Sequence, residues 1–267
     1  LGLSEDRAAT AFGLAATRAS GLKAQFGTMG KPWNAGIAAA NGVEVALCAA
    51  AGMTSSVDAL DGSHGFGACH HGTVADGLEP LGTVWRMCDV HHKYHACCHG
   101  LHAMLEALRD VRIPSEGTEK IEVYTHPRWL SVCNQPAPES GLGVKFSYRH
   151  AAAMALSGYD TGALETFSDD VARNPELVAL RERVVVKGQA DLSELQARVC
   201  IGKSEMFHDL AAPLSHAQRT GRLREKAASL LGRDLEAALW GACGGNDLGG
   251  LAACLAQVRG ETHVEPV

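Results

Sequence analysis

Hydrophobic periodicity changes twice along this chain, and the changes divide it into three stretches that cannot share one architecture. The opening stretch reads as helix, with Ser4 as N-cap, Glu5 and Asp6 in the first turn, alanines behind them and Gly21 as the stop. A second helix is expected from about Pro32 to Ala51, with Pro32 at its first position and Gly52 just past its end. Ile37, Ala40, Leu47 and Ala51 fall near one stripe of it, and the many small residues allow close packing. The Gly- and His-rich run from Ser63 to Glu79 reads as a loop or short helix covering a cleft.

The middle differs. A helix is expected from about Cys97 to Val111, carrying Leu101, Leu105 and Leu108 at core spacing. In Lys120-Ile-Glu-Val-Tyr-Thr125 apolar and polar residues alternate, the period of a half-buried strand, and Arg183–Val186 and Gln196–Ile201 are further strand candidates. Helices near Phe146–Ser157 and Pro175–Arg181 lie between them. After Phe207 the pattern returns to helix over Ser215–Leu231, Asp234–Ala242 and Asp247–Val258. The expected fold is therefore mainly α with an α+β part: an all-helical domain split in sequence by an inserted α+β domain. Its boundaries fall at residues 1–92, 93–205 and 206–267, the last stretch completing the helical domain.

With 267 residues, 46% of them hydrophobic, the chain can bury a substantial core. A net charge of -6 offers no broad cationic surface, which argues against nucleic acid or an anionic membrane as partner. The longest apolar stretch, near Val43–Met53, is broken by Glu44 and Gly52 and is too short to span a bilayer. Nine cysteines scattered through apolar sequence, as at Cys48, Cys200 and Cys254, suit small buried thiols in a reducing compartment, so a cytoplasmic protein is expected. Leu1–Arg7 resembles neither an initiator start nor a signal peptide, and the chain is expected to begin in mid-protein.

Two lysine-bearing segments carry the chemistry: Phe26-Gly-Thr-Met-Gly-Lys-Pro-Trp-Asn-Ala-Gly36 and Lys93-Tyr-His-Ala-Cys-Cys-His-Gly-Leu-His102. Lys31 stands at a helix N-terminus, where free amides and the dipole attract anions. Removing a proton beside a carboxylate needs cations to stabilise the developing charge and a base poised near neutral pH, and lysine can serve both needs. A third segment, Lys145-Phe-Ser-Tyr148, opens another helix, with Ser147 as N-cap and a phenol at Tyr148 that could donate to substrate. His95, His99 and His102 are spaced i, i+4 and i+7, and Glu106 extends that face, but Cys97 and Cys98 point apart on a helix and no HExxH-like pattern occurs. No metal is expected there. Cys97 lacks a dedicated base, which disfavours it as a nucleophile.

The order of the three segments resembles the MmgE/PrpD family, which contains 2-methylcitrate dehydratase, cis-aconitate decarboxylase and iminodisuccinate epimerase. Its first segment commonly reads Gly-Thr-x-x-Lys-Pro-x-His-x-Gly, matched here at Gly27, Thr28, Lys31, Pro32 and Gly36, with Asn34 where a histidine is frequent. Lys93, Cys97 and His102 follow a Lys-x-x-x-Cys segment with a later histidine, and Lys145-Phe-Ser147 follows a Lys/Arg-Phe-Ser segment. The resemblance implies a lyase that uses no cofactor and acts on a small di- or tricarboxylate, a homodimer, and an α+β lid over a site at the domain interface. It implies that Lys31 and Lys93 hold carboxylates, one of them exchanging a proton. His102 and Tyr148 would orient substrate or relay protons, and Thr28, Asn34 and Ser147 would bind it. Family members carry a further helical portion upstream, with an Asp-rich segment and more histidines, so the expected chain is N-terminally shortened. Two alternatives stay open: an epimerase on the same scaffold, or a truncated relic that binds carboxylates or dimerises.

Overall fold

The computed structural model describes residues 1–72, 82–85, 87, 90–113, 119–245 and 248–261. The chain forms two compact units, Leu1–His91 and His92–Val267. The part of the Ser63–Glu79 loop from residue 73 onward lies outside the described residues.

In the first unit, α1 (Glu5–Thr17) starts as the sequence predicts, with the Ser4 side chain accepting from the Arg7 N–H, but it ends before Gly21. The following helix, α2, spans Gly30–Ala50, so Pro32 is its third residue rather than its first. That position is tolerated because no N–H of the first turn has an intrahelical acceptor. At the other end Gly52 (φ +95°) donates to the Ala49 carbonyl at 3.1 Å and Met53 donates to Cys48 at 3.0 Å, the paired bonds of a Schellman cap. The two helices pack together, tied by Arg18–Glu44 and by Asn41 Nδ2 donating to the Arg18 carbonyl at 3.2 Å.

The covered face of α2 runs through Asn34, Ile37, Asn41, Val45 and Ala49. Of the stripe expected from the sequence only Ile37 lies on it, while Ala40, Leu47 and Ala51 are exposed. The helix is apolar on more than one side, so composition alone could not say which side α1 covers. A short helix, α3 (Phe66–Cys69), follows.

The second unit is built on a four-stranded sheet of order β2-β1-β3-β4, formed by β1 (Ile121–Thr125), β2 (Val184–Gly188), β3 (Gln196–Ile201) and β4 (Ser204–Asp209). The first two strands run parallel, and β1–β3 and β3–β4 are antiparallel. The register sets Ile121 beside Val184 and Ile201, and Val123 beside Val186 and Val199, so one face is apolar across the central strands. The strand β4 was not foreseen, although Gly202 (φ +57°) starts a two-residue turn between Ile201 and Ser204 that signals a hairpin. It runs across the position where the α+β part was expected to end.

Against this sheet pack α4 (His102–Ala107) and α6 (Tyr148–Leu156). Helices α5 (Gly141–Val144), α7 (Asp169–Arg173) and α8 (Pro175–Glu182) complete the crossover between the parallel strands. Leu101, Leu105 and Leu108 are fully buried as expected, together with Met104, Ile121, Val123, Leu156 and Leu180. The helix predicted from Cys97 instead begins at His102, preceded by a 3-10 turn over His99–Leu101. Gly100 explains the delay: a Cβ there would lie 2.7 Å from the Trp129 ring and 2.8 Å from Cys133 Sγ, so the turn is pressed against its neighbours.

The C-terminal helices are α9 (His216–Leu231), opened by a Ser215/Gln218 capping box, α10 (Arg233–Gly244) and α11 (Leu248–Glu261). Side chains of α9 reach Glu106, Arg109 and Gly162. Of the described cysteines, all free, only Cys97, Cys98 and Cys133 are buried; Cys48, Cys200 and Cys254 are intermediate, and Cys69 and Cys243 are exposed. The expectation of generally buried thiols is thus corrected: Cys48, Cys69, Cys243 and Cys254 lie on helix faces that are not fully covered, and Cys200 lies on the less buried face of β3, between Val199 and Ile201. No helix of the described residues is long and apolar enough to cross a membrane.

Candidate active site

Lys31 is the second residue of α2, and the turn before it is built by Thr28. The Thr28 hydroxyl donates to the Gln25 carbonyl at 2.8 Å and accepts from the Gly30 N–H at 3.1 Å, which ties down the helix entrance. Gly27 has φ +83°, a conformation that side chains disfavour. The Lys31 ammonium sits 4.8 Å from the centroid of the Phe26 ring. Asn34 turns back toward the chain preceding the helix, with Nδ2 3.5 Å from the Leu22 carbonyl and its side chain against Gly21. Thr28 and Asn34 therefore both shape the helix entrance, and the Lys31 cation is placed in the first turn, where free amides gather.

In the second unit Lys93 is exposed and leads directly into a buried polar network. His95 Nε2 is 2.8 Å from Glu106 Oε1, and His95 Nδ1 is 2.7 Å from Thr161 Oγ1. Arg222 of α9 donates to the same Glu106 oxygen, and its guanidinium lies 4.7 Å from the Tyr94 ring centroid. Burial would raise the Glu106 carboxyl, but the His95 hydrogen bond and the His95 and Arg222 charges outweigh it and hold the group at about 2. The spacing of His95, Glu106 and Arg222 in the chain gives no hint of this triad; His95 and Glu106 were singled out only as parts of one expected helix face, and Arg222 not at all.

His102 is fully buried in edge contact with His95, ring centroids 5.0 Å apart, and 5.1 Å from His99. Burial, then the charges of His95, His99 and Lys93, push its pKa down to about 2. The Cys97 backbone opposes that shift, yet neither ring nitrogen has a partner of hydrogen-bond geometry among the described residues. His102 is therefore a neutral imidazole near pH 7. His95 precedes the helix rather than lying on it, and Glu106 is held by His95 and Arg222, so the expected one-faced ladder does not form. Among the described residues no group of three or more His, Cys, Asp or Glu side chains could hold a metal ion. Burial pushes the Cys97 thiol up to about 12, against the opposing Lys93 charge, which leaves it a poor source of thiolate.

Ser147 caps α6 by accepting from the His150 N–H at 3.2 Å and donates to the Gln135 carbonyl at 2.6 Å. The phenol of Tyr148 is wholly buried. It donates to the Gly100 carbonyl at 2.5 Å, so the Thr125 hydroxyl, 2.8 Å away, must donate to it. Burial raises its pKa well above the ordinary value, with Cys133 contributing next. Ser147 and Tyr148 are thus engaged with the protein in this state. A cavity of ≈ 340 Å³ opens beside the network, lined by Tyr94, His95, Thr161, Arg222 and Lys226 among others. Arg222, Thr161 and Lys226 were missed from the sequence, since they join the Lys93 segment only through the tertiary fold.

Comparison with known proteins adds the following. The sequence model of the MmgE/PrpD N-terminal domain matches residues 1–76, and that of the MmgE/PrpD C-terminal domain matches residues 95–224. A cis-aconitate decarboxylase of Aspergillus terreus is 34% identical over 123 residues, which cover 42% of this chain and 25% of that protein. A cis-aconitate decarboxylase-like protein of Aspergillus oryzae is 35% identical over the same length, with the same coverage. The matched region spans about a quarter of the length of these curated relatives.

Proposed function

The chain belongs to the MmgE/PrpD family, and from that premise we propose that it is a cofactor-independent lyase, a dehydratase or decarboxylase, acting on a small di- or tricarboxylate. The observation that carries this reading is the match of both domain models in chain order, one enclosing the Lys31 segment and the other His102 and Tyr148. The identity to cis-aconitate decarboxylase supports a tricarboxylate such as cis-aconitate as the first substrate to try.

In this proposal Lys31 and Lys93 hold substrate carboxylates, and one of them exchanges a proton at the neighbouring carbon. Thr28, Asn34 and Ser147 serve by shaping the two helix entrances from which substrate is bound. His102, neutral and buried, orients groups around it, and Tyr148 reaches substrate only if its bond to Gly100 opens. In this reading the working protein is a cytoplasmic homodimer, with residues 93–205 as its α+β lid domain and residues 206–267 completing the helical domain.

The test is to incubate the purified chain with cis-aconitate, 2-methylcitrate and iminodisuccinate and to follow each by proton NMR. Loss of substrate with a new alkene resonance supports lyase chemistry. Epimerisation without elimination would replace it by the isomerase alternative, since both share the first proton abstraction and differ in the fate of the carbanion. No change in any substrate, with a folded chain, contradicts the proposal and favours a protein that only binds carboxylates.

A further inference from the structure

The segment that begins at Lys93 is clamped on both sides by backbone hydrogen bonds. The Ala96 N–H donates to the Thr161 carbonyl at 2.8 Å, and the Cys98 N–H donates to the Lys145 carbonyl at 2.9 Å. The first clamp brings in Gly162, whose carbonyl accepts from the Lys226 ammonium of α9. The second brings in Lys145 itself. Three lysines, distant in sequence, therefore meet at one short segment: Lys93 at its start, Lys226 through its ammonium bond to Gly162, and Lys145 through its backbone carbonyl.

None of the three forms an ion pair with a carboxylate within the described residues. Lys226 is held by a neutral carbonyl, Lys145 lies 5.6 Å from the Phe167 ring centroid, and Lys93 is exposed. All three charges act on the buried Cys97 thiol that lies at the middle of the segment. Burial lowers the Lys226 pKa, Asp160 opposes the fall, and Lys93 and Lys145 add to it by repulsion. Asp160 is itself engaged, accepting from the Gly162 N–H at 2.7 Å and from Ser229 at 2.9 Å. A cluster of cations with no ion pair among the described residues, in which Asp160 is the one carboxylate acting on Lys226 and is already engaged, is relieved by a bound anion.

We propose that Lys93, Lys145 and Lys226 form a subsite for a small polycarboxylate anion, whose separate carboxylates match three separate point charges. Lys145 and Lys226 are then binding residues for the same ligand as Lys93, and the C-terminal helix α9 contributes directly to the site. The proposal rests on the reading of Lys93 as a carboxylate-binding residue. Ammonium groups suit this task because each is a compact charge with three donors that can follow a flexible anion.

The test is lysine acetylation of the native 267-residue chain by a water-soluble acetyl ester, quantified residue by residue by mass spectrometry, with citrate or inorganic phosphate present. Citrate should protect Lys93, Lys145 and Lys226 together and leave the exposed Lys203 unchanged, with phosphate protecting less. Protection of Lys93 alone, protection of none, or equal protection by phosphate overturns the proposal. Calorimetric titration with citrate supplies the second arm: Lys145→Gln and Lys226→Gln should each weaken binding about tenfold, and unchanged affinity in the folded variants overturns it. Joint protection without any turnover would leave the subsite standing and the lyase reading fallen. Turnover that ignores Lys145→Gln and Lys226→Gln would do the reverse.

Discussion

His95 Nε2 lies 2.8 Å from Glu106 Oε1, and with 8% and 9% of their side chains exposed the two groups form a pair shielded from solvent. Arg222, 13% exposed, closes on the same carboxylate from a helix 116 residues away. Removing the charge of Glu106 leaves the Arg222 guanidinium, in a partly dry site, with only the more exposed Glu225 at 3.5 Å as a carboxylate partner among the described residues. Glu106→Gln should therefore destabilise the second unit by about 3–5 kcal/mol. Arg222→Met should cost less when added to Glu106→Gln than when made alone, because the pair is lost together. Chemical denaturation of the four chains of this cycle checks both statements, and additive losses would show that the pair is not coupled.

The buried histidines set the response to acid. His102, held at about 2, and His150, lowered to about 4 chiefly by burial, stay neutral in the folded chain at pH values where an unfolded imidazole takes up a proton. Their folded pKa values lie below the ordinary 6.5, so the stability they contribute is complete above that pH and is lost as the pH falls. Each costs about 1.4 kcal/mol per pH unit below 6.5, His150 only down to about 4. Glu106 adds a loss of the same sign, between its ordinary 4.5 and about 2. The melting temperature should drop steeply between pH 6.5 and 4.5, and the His102→Leu variant should show a shallower drop. Parallel curves would remove His102 from the account.

The sequence carried the local signals well and the long-range ones hardly at all. Alternation in Ile121–Thr125, the Leu101, Leu105 and Leu108 spacing, the Ser4 and Ser147 caps and the Gly52 stop all read correctly, since each is decided within a few residues. The start of α4 did not, because it depends on the Trp129 ring and Cys133 pressing on Gly100. The covered face of α2 depends on where α1 lies, and the His95 network depends on Thr161 and Arg222. Tyr148 reads as an available phenol in sequence, whereas the fold sends its proton to Gly100.

Two glycines should respond to alanine in opposite directions. Gly100→Ala places a Cβ 2.7 Å from the Trp129 ring, and the displacement of packed neighbours should cost about 1–3 kcal/mol. Gly42, inside α2, has nothing within 4 Å of the added atom, so Gly42→Ala should stabilise the first unit by up to about 1 kcal/mol. Thermal melts of the two variants against the parent decide this. A stable Gly100→Ala chain would mean that the turn before α4 is looser than described.

Thiol reactivity should follow burial. Iodoacetamide applied to the native chain should modify Cys69 and Cys243 well before Cys97, Cys98 and Cys133, which are enclosed in the second unit. Burial holds Cys97 up at about 12, adding a chemical barrier to the steric one. Peptide mapping over a time course checks the order, and early labelling of Cys97 would reopen its role as a nucleophile.

The central claim is that this chain moves a proton at a carbon beside a carboxylate, using Lys31 and Lys93. Proton NMR of cis-aconitate, 2-methylcitrate and iminodisuccinate in deuterated water tests it most directly, by following deuterium entering a carbon position in the presence of the purified chain. The account predicts wash-in with at least one of the three, and its loss in Lys31→Met and Lys93→Met variants that remain folded. Wash-in that survives both substitutions, or none at all from a folded parent chain, would contradict it.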